Sequence, residues 1–444
     1  MKKINNLSES DFLKLLFAFL SGAFILAAFF MPDRAQMLSG LWAILSQPAK
    51  ISTNDFALGG YAATFLNMGL VGLCFTVLFV VLKATANNVS TLAFVLTVGF
   101  SSWGITALNI WPTILGVVVY SLVRKEKLGA NINAMMFSTG IAPLISDLLV
   151  RYPNAEVVGF NLPGLLVTLL VGFCIGFFLP AGLGHAPQVH KGFDLYSAAV
   201  PVCFTAFFLN ATLYKTMGIA LPAAPGAETL SVASQGIVNV FCILVFGLCV
   251  IGALMMGCKP GDYLKLLKSE EHVGSVSGKL GKEVFLMNVG VYGLFILAYY
   301  NLIGASFNGV TFGIIFCMLC TCNSGSHPGN VWPIMLGYVV GSTLFGWLSQ
   351  LAGGTYAMAI NAQAIAIGLC FANGLSPITS KYGWFWGMVS AILHFLLVTS
   401  VPNMHGGFCL YNGGFTAAVI CVLMVPQLER FCKTKAERKA LKTK

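Results

Sequence analysis

The chain has 444 residues, 57% of them hydrophobic and 9% charged, with a mean hydropathy of +0.84. An ordinary soluble domain carries about 25% charged residues, so a soluble globular enzyme is excluded. The long runs rich in Leu, Phe, Gly and Ala also exclude a membrane β-barrel, whose strands alternate polar and apolar residues over about ten positions.

The first apolar run, Leu15 to Phe30, follows Lys2, Lys3 and Lys14. No small-residue cleavage site closes it, so it reads as a retained helix rather than a secretory leader. Further apolar segments follow at 58–82, 91–123, 132–150, 162–182 and 193–213. A second set lies at 236–257, 284–304, 309–348, 356–374, 384–401 and 408–426. The two sets match in order. Asn67-Met-Gly69-x2-Gly72-Leu73 aligns with Asn288-Val-Gly290-x2-Gly293-Leu294 at an offset of 221. At that offset Gly104, Asn109, Trp111, Pro112, Leu115 and Gly116 fall on Gly325, Asn330, Trp332, Pro333, Leu336 and Gly337. Further on, Ile132-Asn133-Ala134 with Gly140 aligns with Ile360-Asn361-Ala362 with Gly368, and Pro143 with Ser146 aligns with Pro377 with Ser380. Last, His190-x-Gly-Phe-x-Leu-Tyr196 aligns with His405-x-Gly-Phe-x-Leu-Tyr411. The chain therefore reads as a duplicated unit, 1–225 and 226–444.

The third segment of each unit is too long for one upright helix and too short for two, and Gly, Asn and Pro interrupt it, as in the broken helices of transporters. Charge decides how it runs. If it enters and returns, and the N-terminus is cytoplasmic, 21 of the 25 Lys and Arg residues fall inside, leaving Arg34, Lys50, Arg151 and Lys215 outside. If it crosses once, the split is 14 to 11. The positive-inside rule selects the first arrangement. Five crossings per unit is an odd number, so the second unit is inserted upside down. The expected fold is an all-α polytopic membrane protein of two inverted-topology repeats, each with five transmembrane helices and one broken, re-entrant segment. Both termini are expected in the cytoplasm, with the Lys- and Arg-rich tail after Glu429 resting on anionic lipid. The net charge of +10 follows from these topology signals and calls for no nucleic acid.

The duplicated Asn-x-Trp-Pro and His-x-Gly-Phe-x-Leu-Tyr blocks resemble those of an uncharacterised bacterial family of multi-pass membrane proteins, a domain of unknown function. The resemblance covers nearly the whole chain and implies an integral protein of the bacterial cytoplasmic (inner) membrane. In layout alone the chain is similar to urea-transporter-type channels, whose sequence motif is absent.

Asn109-Ile-Trp111-Pro112 and Asn330-Val-Trp332-Pro333 have the chemistry of a helix start: Asn caps free amides, and Pro is tolerated in the first turn. A helix starting in mid-membrane turns its positive end to the bilayer centre, where it attracts an anion or a carbonyl oxygen. These six residues are the expected substrate contacts. Asn67 and Asn288, and Asn133 and Asn361, are further candidates, with helix-packing glue as an equal alternative. His190 and His405, together with Tyr196 and Tyr411, are candidates for gating or proton relay; the competing reading makes the histidines interfacial caps, with Tyr196 and Tyr411 as headgroup-level anchors.

From Val284 to Leu428 there is no Asp or Glu, and Asp147 and Asp194 have no acidic counterpart in the second unit. Carboxylate-coupled pumping is therefore disfavoured, whereas sodium coupling through neutral oxygens stays open. Both sodium and a proton remain as coupling ions. Cys317-x2-Cys320-x-Cys322 sits in an apolar run without a second pair and reads as packing, so neither metal nor cofactor is expected. The leading function is a transporter or channel for a small polar neutral or anionic solute, not an enzyme, and self-association into a homo-oligomer suits that class. The alternative is a membrane-embedded enzyme acting on a lipid-linked substrate with His190 or His405 as acid or base.

Overall fold

The computed structural model describes residues 4, 6–154, 158–223, 232–269, 273–355 and 358–442. Among them there is helix and no strand. The first half carries α1 (Glu9–Ala28), α2 (Met37–Leu45), α3 (Asp55–Val81), α4 (Asn88–Phe100), α5 (Trp111–Val123), α6 (Ile132–Ser138), α7 (Ala142–Val150), α8 (Leu162–His190) and α9 (Ala199–Asn210). The second half carries α10 (Val232–Met255), α11 (Pro260–Leu267), α12 (Val276–Lys279), α13 (Lys282–Leu302), α14 (Gly309–Leu319), α15 (Pro328–Leu351), α16 (Gln363–Ala372), α17 (Ser376–Tyr382), α18 (Trp384–Val398), α19 (Asn412–Phe431) and α20 (Lys435–Lys442). The expected junction at 225/226 lies outside the described residues.

Nine helical stretches among the described residues are long and apolar enough to cross a membrane. Eight coincide with expected full crossings. The ninth is α15, the second half of a broken segment, whose 24 residues reach about 36 Å at 1.5 Å per residue. The expected crossings at 193–213 and 356–374 are not among the nine. The first shortens because 193–198 is turn, leaving the 12 residues of α9 before a π-turn over Ala211–Thr216. The second begins only at Gln363 and breaks into α16, a three-ten turn and α17.

The third segments break where expected. The 13 residues of α4 span about 20 Å, short of the roughly 30 Å hydrocarbon core. The chain then turns through 101–110 into α5. The two ends of this hairpin lie together: a Cβ on Gly129, just past α5, would stand 2.6 Å from the Leu82 carbonyl, just before α4. In the second half Asn308 Nδ2, at the start of α14, donates to Gln363 Oε1 (2.5 Å), beyond the end of α15. The first broken segment thus returns to the end it came from, and the start of the second lies beside the start of α16.

Small residues let helices approach closely, which replaces a hydrophobic driving force within lipid. Cβ atoms on Gly69 and Gly290 would each stand 2.5 Å from side chains of α1 and α10, at Ile25 and Val250. The expected role of the Asn-x-Gly-x2-Gly blocks in close packing is thereby met. Helix α4 crosses α14 antiparallel: Asn323 Nδ2 donates to Thr91 Oγ1 (3.1 Å), Cys317 approaches Leu96, Gly313 lies against Gly99, and Gly309 lies against Ser102. At this crossing Phe24, Phe65, Phe241, Phe312 and Phe316 stack into a continuous aromatic core.

Candidate functional site

The turns at the hairpin tips are held by four asparagines that the sequence singled out. Helix termination leaves carbonyls without intrahelical partners, and Asn67 Nδ2 donates to two of them, Ser101 and Ile105, at 2.8 Å each. Asn288 does the same to Cys322 (3.0 Å) and Ser326 (2.9 Å), each partner displaced by 221 positions. Asn109 Nδ2 donates to the Gly104 carbonyl (2.8 Å) and Ser146 Oγ (2.9 Å), while its Oδ1 accepts from the Thr106 N–H (2.8 Å). Asn330 repeats the set with Gly325 (2.9 Å), Ser380 (3.1 Å) and His327 (2.9 Å). All four amides are buried.

These bonds correct the expected capping roles. His327 is the N-cap of α15, and Asn330 is the third residue of the helix, reaching back to the cap N–H in a capping box. Thr106 stands at the matching position in the first half, four residues before Ile110, the N-cap of α5, with its hydroxyl accepting from the Asn109 N–H (3.1 Å). Pro333 lies inside α15, whereas Pro112 lies in the first turn of α5. Trp111 and Trp332 are 48% and 42% exposed on the outer surface, where Trp111 Nε1 donates to the Ala107 carbonyl (2.8 Å) and Trp332 stacks on Trp384. The tryptophans therefore do not converge with the asparagines on a central point.

The His-x-Gly-Phe-x-Leu-Tyr loops fold alike. His190 Nδ1 accepts from the Asp194 N–H (3.2 Å), and His405 Nδ1 accepts from the Cys409 N–H (3.1 Å). An Nδ1 that accepts must be unprotonated, so both rings are neutral with hydrogen on Nε2. His190 Nε2 meets Ser197 Oγ (2.7 Å), whereas His405 Nε2 has no partner among the described residues. The tyrosines are buried, not headgroup anchors: Tyr196 and Tyr411 are 1% and 0% exposed. Tyr196 OH donates to Asn373 Oδ1 (2.7 Å), and Asn373 Nδ2 in turn holds the Met318 carbonyl (2.7 Å) and Thr321 Oγ1 (2.9 Å). Asn373 was not legible as a hub, because its counterpart in the first half is Thr139.

A cavity of about 540 Å³ opens at the end where the first hairpin begins and finishes. Its walls come from the start of α4 (Asn88, Leu92), the start of α6 (Asn133, Ala134, Phe137), the Pro180–Pro187 stretch of α8, and the loop from Gly192 to Ala198. It reaches Ser324 at the tip of the second hairpin. Pro180 and Pro187 each leave an α8 carbonyl without its helical donor. Two residues of this lining each keep a buried acceptor with no hydrogen-bond partner among the described residues, Asp194 Oδ2 and Asn133 Oδ1. Asp194 Oδ1 accepts from the Tyr196 N–H (2.9 Å). Among the described lining residues, Asp194 is the only acid and no Lys or Arg is present. Asn361, the counterpart of Asn133, is exposed at the other end and donates to the Gly304 carbonyl (3.3 Å).

That other end is closed by the segment before α3. The Ile51 N–H donates to the Gly407 carbonyl (2.8 Å), Lys50 Nζ reaches the Pro222 carbonyl (3.1 Å), and Asn54 Oδ1 accepts from the Gly309 N–H (2.9 Å). Burial pushes the Lys50 ammonium below its usual range, partly offset by Asp147 and reinforced by Arg151. Arg151 Nε binds Asp147 Oδ1 at 2.7 Å, its Nη2 holds the Ala220 carbonyl (2.8 Å), and the Tyr214 hydroxyl donates to Asp147 Oδ2. Among the described residues no three His, Cys, Asp or Glu side chains converge as metal ligands. Cys317 and Cys320 instead pack against the Leu96 carbonyl and Tyr196 OH.

Fold and composition together define an all-α, multi-pass membrane protein. The chain belongs to the family described as a protein of unknown function, DUF1576, which matches residues 33–217 and 264–430. No curated protein and no solved structure matches it.

Proposed function

We propose that the chain is a membrane transporter or channel for a small polar solute, built from two inverted repeats and captured open to the cytoplasm. The cavity beside Asp194 carries this reading: it runs from one end of the molecule to the tip of the second hairpin, while Lys50 to Asn54 close the opposite end. The inverted arrangement is supported by the antiparallel crossing of α4 and α14, which occupy matching places in the two halves. A two-fold axis along the membrane normal would set matching helices parallel; an axis in the membrane plane sets them antiparallel. The charge split of 21 to 4 supports a cytoplasmic position for the cavity mouth, near Lys83, Lys127 and Lys191, in a bacterial inner membrane.

Of the two solute classes expected, the neutral one is favoured. The described residues that line the cavity include one acid, Asp194, and no Lys or Arg, so a neutral solute that donates hydrogen bonds fits better than an anion. The test is a flux screen in proteoliposomes with radiolabelled or swelling-detected solutes, starting with small amides, polyols and neutral amino acids. Uptake of at least one solute over empty liposomes, reduced by a bulky Ala134→Trp in the cavity wall, is expected. Impermeability to the whole panel, with the protein folded and correctly inserted, would overturn the reading. The enzymatic alternative finds less support: His190 Nδ1 is held by the Asp194 backbone N–H rather than by a carboxylate, and His405 is fully buried and outside the cavity lining.

A further inference from the structure

Asp147 and Asp194 are the two acids named from the sequence, and the structure separates them. Asp147 is matched by Arg151 and by the Tyr214 hydroxyl. Asp194, a residue of the cavity lining, is 2% exposed, uses one carboxyl oxygen on the Tyr196 N–H, and keeps the other buried without a partner among the described residues. Its nearest ring, His190, accepts from the Asp194 backbone and is neutral, so it supplies no charge. Lys191, three positions before Asp194, pairs with Glu429 at 2.6 Å, and Lys381 sits over the ring of the neighbouring Phe193 at 5.1 Å. Asp55 also keeps an orphan oxygen, but it lies outside the lining of this cavity.

A carboxylate removed from water without a counter-charge is strongly unfavourable, and a cation seated beside it removes that cost. The available ligands are hard oxygens, which suit a group 1 or group 2 ion. One carboxylate carries one negative charge, so a monovalent ion leaves the site neutral, whereas a divalent ion would leave a net charge in an apolar surround. Asn133, which lines the same cavity, keeps a second buried acceptor without a partner among the described residues, and Ser324 joins the lining from the other hairpin. We propose that Asp194 and Asn133 form a binding site for one monovalent metal cation. The site occurs once, because the place of Asp194 in the second half is taken by Cys409, whose sulfur lies 3.1 Å from that of Cys203. Its role in driving a solute rests on the reading of the cavity given above; its existence does not.

The experiment measures ion binding to the purified full chain in detergent, with no solute present. Thermal unfolding is followed in NaCl, in KCl and in choline chloride at equal ionic strength and fixed pH. A saturable rise in Tm with sodium or potassium over choline is expected. Asp194→Asn should abolish it; the asparagine oxygen can still accept from the Tyr196 N–H, so the loop keeps its fold. Asn133→Ala removes an oxygen that has no partner in the apoprotein, and should weaken the ion about tenfold, or about 1.4 kcal/mol. Asp262→Asn, at an exposed ion pair with Lys265, should leave the response unchanged. Equal Tm in all three salts overturns the site and leaves the Asp194 carboxyl to a proton. An undiminished metal response in both Asp194→Asn and Asn133→Ala overturns it as well. A metal response that depends on Asp194, in a protein that carries no solute across liposomes, would retain the ion site and remove the transport reading.

Discussion

The backbone N–H of Leu195 donates to the carbonyl of Gly374 at 3.1 Å, and Leu410 donates to Gly140 at 2.9 Å in the reverse exchange between the halves. Each His-x-Gly-Phe-x-Leu-Tyr loop is thus seated on a three-ten turn of the other half. The same exchange holds at the helix starts, where Asn54 binds the Gly309 N–H and Asn88 Nδ2 binds the Gly274 carbonyl (2.7 Å). Two such rings of contacts tie the hairpin tips, the loops and the cavity wall into one unit, so a change at one interface should be felt in folding before it is felt in selectivity.

Asn109 and Asn330 should behave as structural residues. Asn109→Ala strands the Gly104 carbonyl, the Thr106 N–H and Ser146, and at about 1 kcal/mol for each lost bond should cost roughly 2–4 kcal/mol. Asn109→Asp should be no better, since an oxygen would then face the Gly104 and Ala142 carbonyls. Thermal unfolding of detergent-purified variants measures this. Wild-type Tm in both alanine variants, together with a change in solute affinity, would restore the direct-contact role.

The α4–α14 crossing leaves no room for a methyl group at Gly313, where a Cβ would meet the Gly99 carbonyl, Ser102 Oγ and the Trp103 ring. Gly313→Ala is therefore expected to lower Tm by several degrees or abolish expression, in line with overpacking costs of about 1–3 kcal/mol. Gly22→Ala is the control: nothing lies within 4 Å of its added Cβ, and a helical Gly→Ala change is neutral or stabilising. Equal tolerance at both positions would contradict the packing.

Breaking the Asp147–Arg151 pair from either side should be costly. Asp147→Asn or Arg151→Gln leaves one buried charge uncompensated, at about 3–5 kcal/mol, whereas the double change should recover part of that loss. A double-mutant cycle on unfolding in denaturant reads the coupling. Additive losses would show that the pair contributes nothing as a pair.

Orientation is tested by labelling with a membrane-impermeant maleimide in intact cells, after replacing the half-buried native Cys74, Cys174 and Cys432. A cysteine at Val158, 47% exposed beyond α7, should label from outside. One at Ser269 should label only after the membrane is opened. Labelling of Ser269→Cys in intact cells would sink the inverted-repeat topology.

The repeats made Asn67, Asn288, Asn109 and Asn330 legible, and their hydrogen bonds recur at the offset read from the chain. The same filter hid Asp194, because its partner position holds Cys409 and asymmetry looked like irrelevance. It also misaligned one glycine: Gly140 was matched to Gly368, whereas the backbone exchange pairs it with Gly374. An alignment of letters cannot register the longer helix α16 that shifts the turn.

By itself the sequence determined the class of solvent and where the third apolar segment of each half breaks. These follow from local chemistry: apolar length against bilayer thickness, and Gly, Asn and Pro against helix continuity. Only the tertiary structure decided which way the side chains faced. Trp111 and Trp332 turned outward although their neighbours at Asn109 and Asn330 are buried, and Tyr196 and Tyr411 went to the core rather than the membrane surface. Helix rotation and loop seating depend on contacts between residues more than a hundred positions apart, such as Leu195 with Gly374, and no local pattern encodes them. The cavity, and the buried unpaired oxygen of the lining residue Asp194, exist only because those distant contacts close around them.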